Sequence, residues 1–440
     1  MTQYRMMADS AAGLVRSIEE GVGSGELAPG QRLPSVRRIA VEVGLSPATV
    51  AAGLSELRRR GVVVTEQRRG TRIGDRPPIG SLRAPMPVPL GARDLSRGNP
   101  DPALLPDLER ALAELKLPSR LYGEPAALEE LTALAGEQLR ADGIPSGSLC
   151  IVSGALDGIE RVLDAHLRPG DRVAVENPGY AALFDLLRAR GLTLEPVELD
   201  ERGMRPSALQ AALECGASAA IITPRGQNPT GAALDAGRAR ELADVFAQAP
   251  QTLVIEDDHL GLLAGSDLHT TVVGRSRWAA TRSVAKALGP DLRLAVLAGD
   301  SQTIARVQGR QQCGPGWVSH ILQGLVFSLW RDPSIAELIS GARATYAARR
   351  QALLDRLGER GVGASGATGL NVWIGVGEEA SAVGALLERG WVVAPGAPYR
   401  LHASPAAIRV TIATLSEAEA GRLAADLADV LTRAPTSRSG

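Results

Sequence analysis

Lysine is almost missing from this 440-residue sequence: of 48 basic residues, 46 are arginine, and the two lysines are Lys116 and Lys286. GC-rich coding replaces lysine wherever a plain positive charge suffices. A retained lysine therefore draws attention, since a primary amine does chemistry that a guanidinium does not. Cysteine is equally sparse. Cys150, Cys215 and Cys313 are widely spaced, which excludes a disulfide framework and a cysteine-based metal site and predicts a reducing, cytoplasmic setting. A charge excess is also missing. With a net charge of −1, any attraction to nucleic acid has to come from a local basic patch. Long apolar runs are absent, so no segment reads as a membrane span. The first twenty residues carry Asp9, Arg16, Glu19 and Glu20 and do not read as a signal peptide. What remains is the composition of a globular chain, 45% apolar and 22% charged, long enough for roughly two to four domains.

Three regions separate along the chain. Residues 1–75 hold short helical patterns dense in arginine. Residues 76–92 contain five prolines and no helical or strand period, the mark of an extended linker. Residues 93–435 alternate short apolar strands (Arg172–Glu176, Ala219–Thr223, Leu253–Asp257, Trp278–Ser283 and Leu292–Ala298) with amphipathic segments such as Gly154–Leu167, Tyr180–Arg190 and Ala233–Ala247. That pattern predicts an α/β fold on a mostly parallel sheet. From about residue 330, arginine- and alanine-rich helices precede further strands at Asn371–Ile374, Val392–Ala394 and Ile408–Ala413, predicting a small C-terminal α+β subdomain.

Within the first region Ser35 caps one helix and Gly44 ends it; Ser46-Pro47 starts the next, and Gly61 stops it. Val62–Thr65 and Thr71–Ile73 then alternate as a hairpin. This is a winged helix-turn-helix. Residues 27–74 carry nine arginines and three glutamates, +6 in a chain of net −1. Arg37, Arg38, Arg68, Arg69 and Arg72 are placed to meet phosphates, and Ser46, Ala48 and Thr49 to meet base edges of double-stranded DNA. The stretch PGQRLPSVRRIAVEVGLSPATV resembles the GntR family of regulators. Gly53 departs from that family, where a larger residue is usual, and is expected to weaken its helix by about 1 kcal/mol relative to alanine.

The second set of signals concerns Lys286. An amine among apolar neighbours has its charged form disfavoured, and a neutral amine attacks an aldehyde. Ser283 and Arg293 flank it and suit a phosphate, as does Ser153-Gly154-Ala155 at a helix start. Tyr180 offers a ring for stacking. Asn228, in Asn-Pro-Thr-Gly, offers a donor, or else only a turn. The run Glu256-Asp257-Asp258-His259 puts carboxylates at a strand tip, where one can pair with a ring N–H⁺; a solvated acidic turn is the other reading. Arg409 suits a carboxylate, or an ordinary ion pair.

The order and intervals of these residues resemble the fold-type-I aminotransferases, which depend on pyridoxal 5'-phosphate. The resemblance implies that Lys286 is the catalytic, imine-forming lysine and Asp257 the partner of the pyridine nitrogen. It implies that Asn228 and His259 neighbour the phenolic oxygen and that Tyr180 stacks on the ring. Ser153, Gly154, Ala155, Ser283 and Arg293 become the phosphate site, Arg409 the carboxylate site, and Tyr122 a phosphate contact across a dimer. His259 stands where tyrosine is commoner, and Ala285 where a serine is frequent. Both departures count against efficient transamination.

A GntR-type reader joined by a linker to such a domain is similar to the MocR family. SGALDGIERVLDAHLRPGDRVAVE, TPRGQNPTG, IEDDHLGLL and RSVAKALGPDLRLA resemble its PtsJ-like branch, associated with vitamin B6 homeostasis. The resemblance implies a homodimeric transcription regulator for which pyridoxal phosphate is the effector. A working aminotransferase with an accessory reader, and a scaffold with a vestigial pocket, are the rival readings.

Overall fold

The computed structural model describes residues 4, 6–59, 62–66, 70–74, 88–116, 118–402 and 404–433. Arg68, Arg69 and most of the proline-rich stretch lie outside these. The chain divides into two compact units, one of residues 1–86 with the short segments 168–171 and 187–193, the other of the remainder.

The first unit begins with a helix, α1 (Ala11–Gly23), capped by the Ser10 hydroxyl. Then come α2 (Val36–Val43), capped by Ser35 and closed by Gly44 at φ +71°, and α3 (Pro47–Arg59). Leu14, Ile18, Ile39, Val50, Leu54 and Leu57 bury one apolar stripe from each helix in a common core. Strands β1 (Val63–Glu66) and β2 (Gly70–Ile73) form the antiparallel wing. Leu33 N–H donates to the Thr71 carbonyl at 2.9 Å, tying the wing to the segment before α2. Gly53 faces α1: a Cβ there would stand 3.1 Å from the Ala11 carbonyl oxygen and 3.2 Å from Leu14 Cδ2. The glycine is therefore the residue that lets α1 and α3 approach, not merely a weak point in α3.

The second unit starts with β3 (Arg93–Asp94). It continues through β4 (Leu149–Val152), β5 (Arg172–Asn177), β6 (Thr193–Asp200), β7 (Gly203–Met204), β8 (Ala217–Ile222), β9 (Leu253–Asp258), β10 (Trp278–Ser283) and β11 (Ala295–Gly299). The last eight form one sheet in the order β4-β11-β10-β9-β8-β5-β6-β7. Its centre, β5-β8-β9-β10, is parallel. β11 runs antiparallel to both β10 and β4, which leaves β4 parallel to the central strands. The strand expected over 292–298 starts later, because Pro290–Leu292 forms a 3₁₀ turn and Arg293 sits in the left-handed region at φ 44°. Every residue of β9, β10 and β11 is buried, as strands covered on both faces must be.

Beyond a 26-residue helix, Pro333–Gly358, a small sheet is built from β12 (Ala364–Ser365), β13 (Asn371–Gly375), β15 (Ala394–Pro395) and β16 (Ala407–Thr411), paired antiparallel. Between them β14 (Trp391–Val392) pairs with β3 in parallel. No helix among the described residues is long and apolar enough to cross a membrane.

Candidate functional site

Parallel strands deliver their C-terminal ends to one edge of the sheet, and the loops leaving that edge converge there. Tyr180 follows β5, Asn228 follows β8, Asp257 lies at the end of β9 with His259 just past it, and Lys286 follows β10. The helix Ala155–His166 follows β4. Together they line a cavity of about 220 Å³ with Gly154, Ala155, Ser283, Arg293 and Arg409.

The acidic run at the tip of β9 is a buried structure, not a solvated turn. Strand alternation sends Asp257 to one face and its two neighbours to the other. Glu256 accepts from Thr270 Oγ1 at 2.8 Å, Thr271 N at 2.6 Å and Thr271 Oγ1 at 2.8 Å. Asp258 accepts from Arg225 Nε and Nη2 and from Arg282 Nε, each at 2.9 Å. Asp257, facing the cavity, has a hydrogen bond from the Thr281 hydroxyl at 3.2 Å, and no cation among the described residues pairs with it. Thr281 stands opposite it in the β9–β10 register. Burial pushes the Asp257 carboxyl up to about 7; the hydroxyl opposes and Asp258 adds to the rise. Such a carboxyl calls for a cationic partner before it holds its charge at neutral pH.

Lys286 is the opposite case. Its Nζ donates to the Gly98 carbonyl at 2.6 Å. Burial, with the Arg409 guanidinium nearby, brings it down to about 8, a range in which a substantial fraction is neutral and nucleophilic. His259 is pushed down to about 4, first by burial and then by Lys286, so it is a neutral imidazole at physiological pH.

Arg293 donates from Nη2 to the Ser153 carbonyl at 3.2 Å. It lies beside Gly154, whose φ is +106° and which caps its helix with no side-chain hydrogen bond. A guanidinium over an uncapped helix start is an anion cradle. Arg409 is buried. Its Nη1 donates to Asn228 Oδ1 at 3.1 Å, its Nη2 donates to the Ser96 carbonyl, and its Nε has no partner among the described residues. The guanidinium also lies 5.0 Å from the Tyr399 ring centroid.

Two expected site residues do not line this cavity, one of them, Tyr122, expected to reach a phosphate only across a dimer. Ser153 is not among the lining residues: its N–H donates to Asp157 at 2.8 Å and its carbonyl takes Arg293. Tyr122 is 93% exposed and packs edge-on against Trp317, 5.6 Å between centroids. In the first unit Arg37, Arg38, Ser46 and Ala48 are exposed, Thr49 and Arg72 half-buried. Arg38 pairs with Glu42 at 3.2 Å, and Ser46 accepts from Thr49 N–H at 3.1 Å.

Sequence reasoning missed Arg97, Gly98 and Asn371, which also line the cavity. It missed the layer beneath as well. Glu176 accepts from Thr223 N–H at 3.0 Å, Thr223 Oγ1 at 2.9 Å and Gln227 Nε2 at 3.1 Å, and Gln227 Oε1 accepts from Thr230 N–H at 3.0 Å. That buried chain fixes the turn carrying Asn228. Glu176-Asn-Pro and Gln227-Asn-Pro were readable as turns; nothing in the sequence said that they hold each other.

Residues 94–427 match the family model for aminotransferase class I and II, and residues 11–73 that for bacterial regulatory proteins of the gntR family. The chain is 41% identical to the vitamin B6 salvage pathway transcriptional repressor PtsJ of Salmonella typhimurium, over 95% of this chain and 97% of that one. It is 30% identical to the HTH-type pyridoxine biosynthesis transcriptional regulator PdxR of Corynebacterium glutamicum, over 56% of this chain and 57% of that one. Among solved structures, an archaeal alanine:glyoxylate aminotransferase superposes with a TM-score of 0.71 at 23% identity, covering 78% of this chain and 91% of its own. The alpha-aminoadipate aminotransferase LysN of Thermus thermophilus gives 0.68 at 21%, covering 78% and 92%. At those identities the likeness is one of fold.

Proposed function

The chain belongs to the MocR-type regulators, a gntR-family reader followed by an aminotransferase class I and II domain, and from that premise we propose that it is a DNA-binding transcription regulator that senses pyridoxal phosphate and controls genes of vitamin B6 metabolism. The observation that carries the reading is the convergence on one cavity of a lysine brought down to about 8, a cation-free buried aspartate and an arginine over a helix start.

Those residues fit pyridoxal phosphate. Arg293, Ser283 and the N–H groups after Gly154 would hold the phosphate, and Gly154 keeps clear the space that a Cβ would fill. Asp257 would hold the ring nitrogen; Tyr180, Asn228 and His259 line the same cavity. When bound, the group supplies an electrophilic aldehyde carbon. The chain's own part is to keep Lys286 partly neutral, to give the ring nitrogen a carboxylate, and to exclude water from both. His259, neutral at physiological pH, offers no charge to the oxygen it would neighbour. Arg37, Arg38 and the start of α3 provide the reader's DNA face, in a cytoplasmic homodimer.

A ligand moves such a protein only by its differential affinity for two states. The test is operator binding by mobility shift at fixed salt, with and without pyridoxal phosphate, alongside the visible absorption of the protein. A new absorption band with a changed operator affinity supports the sensor. Equal affinity in both conditions sinks it, and steady-state conversion of an amino donor with a keto acid favours an enzyme instead.

A further inference from the structure

The segment Ser96–Gly98 reaches the cavity by its backbone. Its N-terminal side is anchored: β3 pairs with β14, Leu95 N–H donates to the Val392 carbonyl at 2.8 Å, and Thr411 N–H donates to the Leu95 carbonyl at 2.8 Å. Its C-terminal side is anchored too, with Asp101 N–H donating to the Tyr346 hydroxyl at 2.9 Å and Arg349 pairing with the Asp101 carboxylate at 2.8 Å. Between these anchors two carbonyls meet two cations of the site. The Ser96 carbonyl takes Arg409 Nη2, and the Gly98 carbonyl takes Lys286 Nζ. Gly98 stands at φ +67°, and its N–H donates to Thr411 Oγ1 at 3.0 Å. A hydrogen bond from an ammonium to a carbonyl is among the stronger neutral-acceptor contacts.

We infer that this segment is a latch held by the unliganded lysine and released when the lysine is loaded. The inference rests on reading Lys286 as the aldehyde-binding amine. After one proton passes to solvent, the amine nitrogen joins the aldehyde carbon. A carbon–nitrogen double bond forms, the carbon–oxygen bond breaks, and the oxygen leaves as water with the two remaining amine hydrogens. The nitrogen then has no N–H left, or a single one where the imine is protonated, and that one is taken by the phenolic oxygen beside the imine carbon, so the Gly98 carbonyl loses its donor. Toward the N-terminus the chain runs from Ser96 through β3 into the proline-rich stretch and the reader, so the state of the lysine is felt at the first residues of the second unit.

Hydrogen exchange of the full-length protein, read on peptides covering Leu95–Asp101, tests this in wild type, Lys286→Arg and Lys286→Met, with and without pyridoxal phosphate. In wild type, exchange at Gly98 accelerates about tenfold once the visible band shows loading, as expected for losing one charged hydrogen bond. Lys286→Arg keeps a donor that does not react, and it exchanges slowly in both conditions. Lys286→Met exchanges fast without ligand, and its unliganded operator affinity matches that of loaded wild type. A wild type that loads and changes operator affinity with unchanged exchange over Leu95–Asp101 overturns the latch and leaves the sensor standing. So does a Lys286→Met protein with slow exchange. Should Lys286→Met fail to fold, wild type against Lys286→Arg still decides. A wild type with no band overturns both.

Discussion

A Cβ placed on Gly154 would stand 3.1 Å from Nη2 of Arg293. The glycine, at φ +106°, is thus what lets the guanidinium lie across the start of the helix Ala155–His166. Gly154→Ala both strains the backbone and pushes the guanidinium away. The expected result is a loss of about 1 kcal/mol in stability, with pyridoxal phosphate affinity down about tenfold or more from the displaced arginine. Urea unfolding and titration of the visible band measure the two separately. Unchanged affinity would remove Arg293 from the phosphate site.

The pH dependence of loading follows from Lys286. Burial first and Arg409 second bring its ammonium down to about 8, so the neutral amine becomes the major form above that pH instead of above the ordinary lysine range. The rate at which the visible band forms is expected to rise through an inflection near 8 and level off beyond it. Arg409→Met removes one of the two causes and moves the inflection upward. Stopped-flow absorbance across pH 6.5 to about 10.5, the ordinary lysine value, checks both. A rate still climbing steeply at the top of that range means that the amine is solvated.

Much of this was legible in the sequence because each signal was local. Ser35, Gly44 and Ser46-Pro47 state where helices start and stop. Trp278–Ser283 is an apolar run with turn signals on either side, and its observed bounds coincide with those read from the sequence. Lys286 stands out in a nearly lysine-free chain. What was not legible is what depends on pairing between distant segments. Gly98 and Lys286 are 188 residues apart, and no period or motif ties a glycine in Arg-Gly-Asn-Pro to a lysine's amine. The run Glu256-Asp257-Asp258 is identical in charge along the chain, yet strand alternation turns Asp257 to one face and its neighbours to the other, where Glu256 meets threonines and Asp258 meets two arginines. The place of Ser153 before a helix suggests a phosphate hydroxyl; that its N–H is taken by Asp157 one turn on, and its carbonyl by Arg293, is not written in the motif.

Gly53 provides a test in the reader. Helix propensity alone says that Gly53→Ala gains about 1 kcal/mol. The 3.1 Å approach of its Cβ position to the Ala11 carbonyl oxygen and the 3.2 Å approach to Leu14 Cδ2 oppose that gain. Alanine is expected to come out near neutral, and Gly53→Leu to lose about 1 to 3 kcal/mol by overpacking, with weaker operator binding as α3 shifts. Thermal unfolding and mobility shift of the full-length variants measure this. A stabilising Gly53→Leu would mean that α1 does not pack where the structure puts it.

Asp257 and Asp258 are adjacent on β9, both buried, and replacing each with asparagine is expected to act in opposite directions. Asp258 takes Arg225 and Arg282, whose side chains are 6% and 2% exposed. Burial alone would raise its carboxyl, but the two guanidinia outweigh burial and hold it below the usual carboxylate range. Asp258→Asn leaves two buried cations sharing Asp142 and is expected to cost about 3 to 5 kcal/mol. Asp257 has no such partner among the described residues, and burial raises it to about 7. The folded state prefers its protonated form. Stability from that preference is complete below the unfolded value of about 4 and is lost as pH rises through about 7. Asp257→Asn is neutral at every pH, so in the unliganded protein its advantage over wild type grows between about pH 4 and 7, by at most about 1.4 kcal/mol per pH unit, and levels off above that. Urea unfolding of both variants across that range is the measurement. An Asp257→Asn protein that loses as much as Asp258→Asn would show that the cavity-facing carboxylate already has a cation of its own.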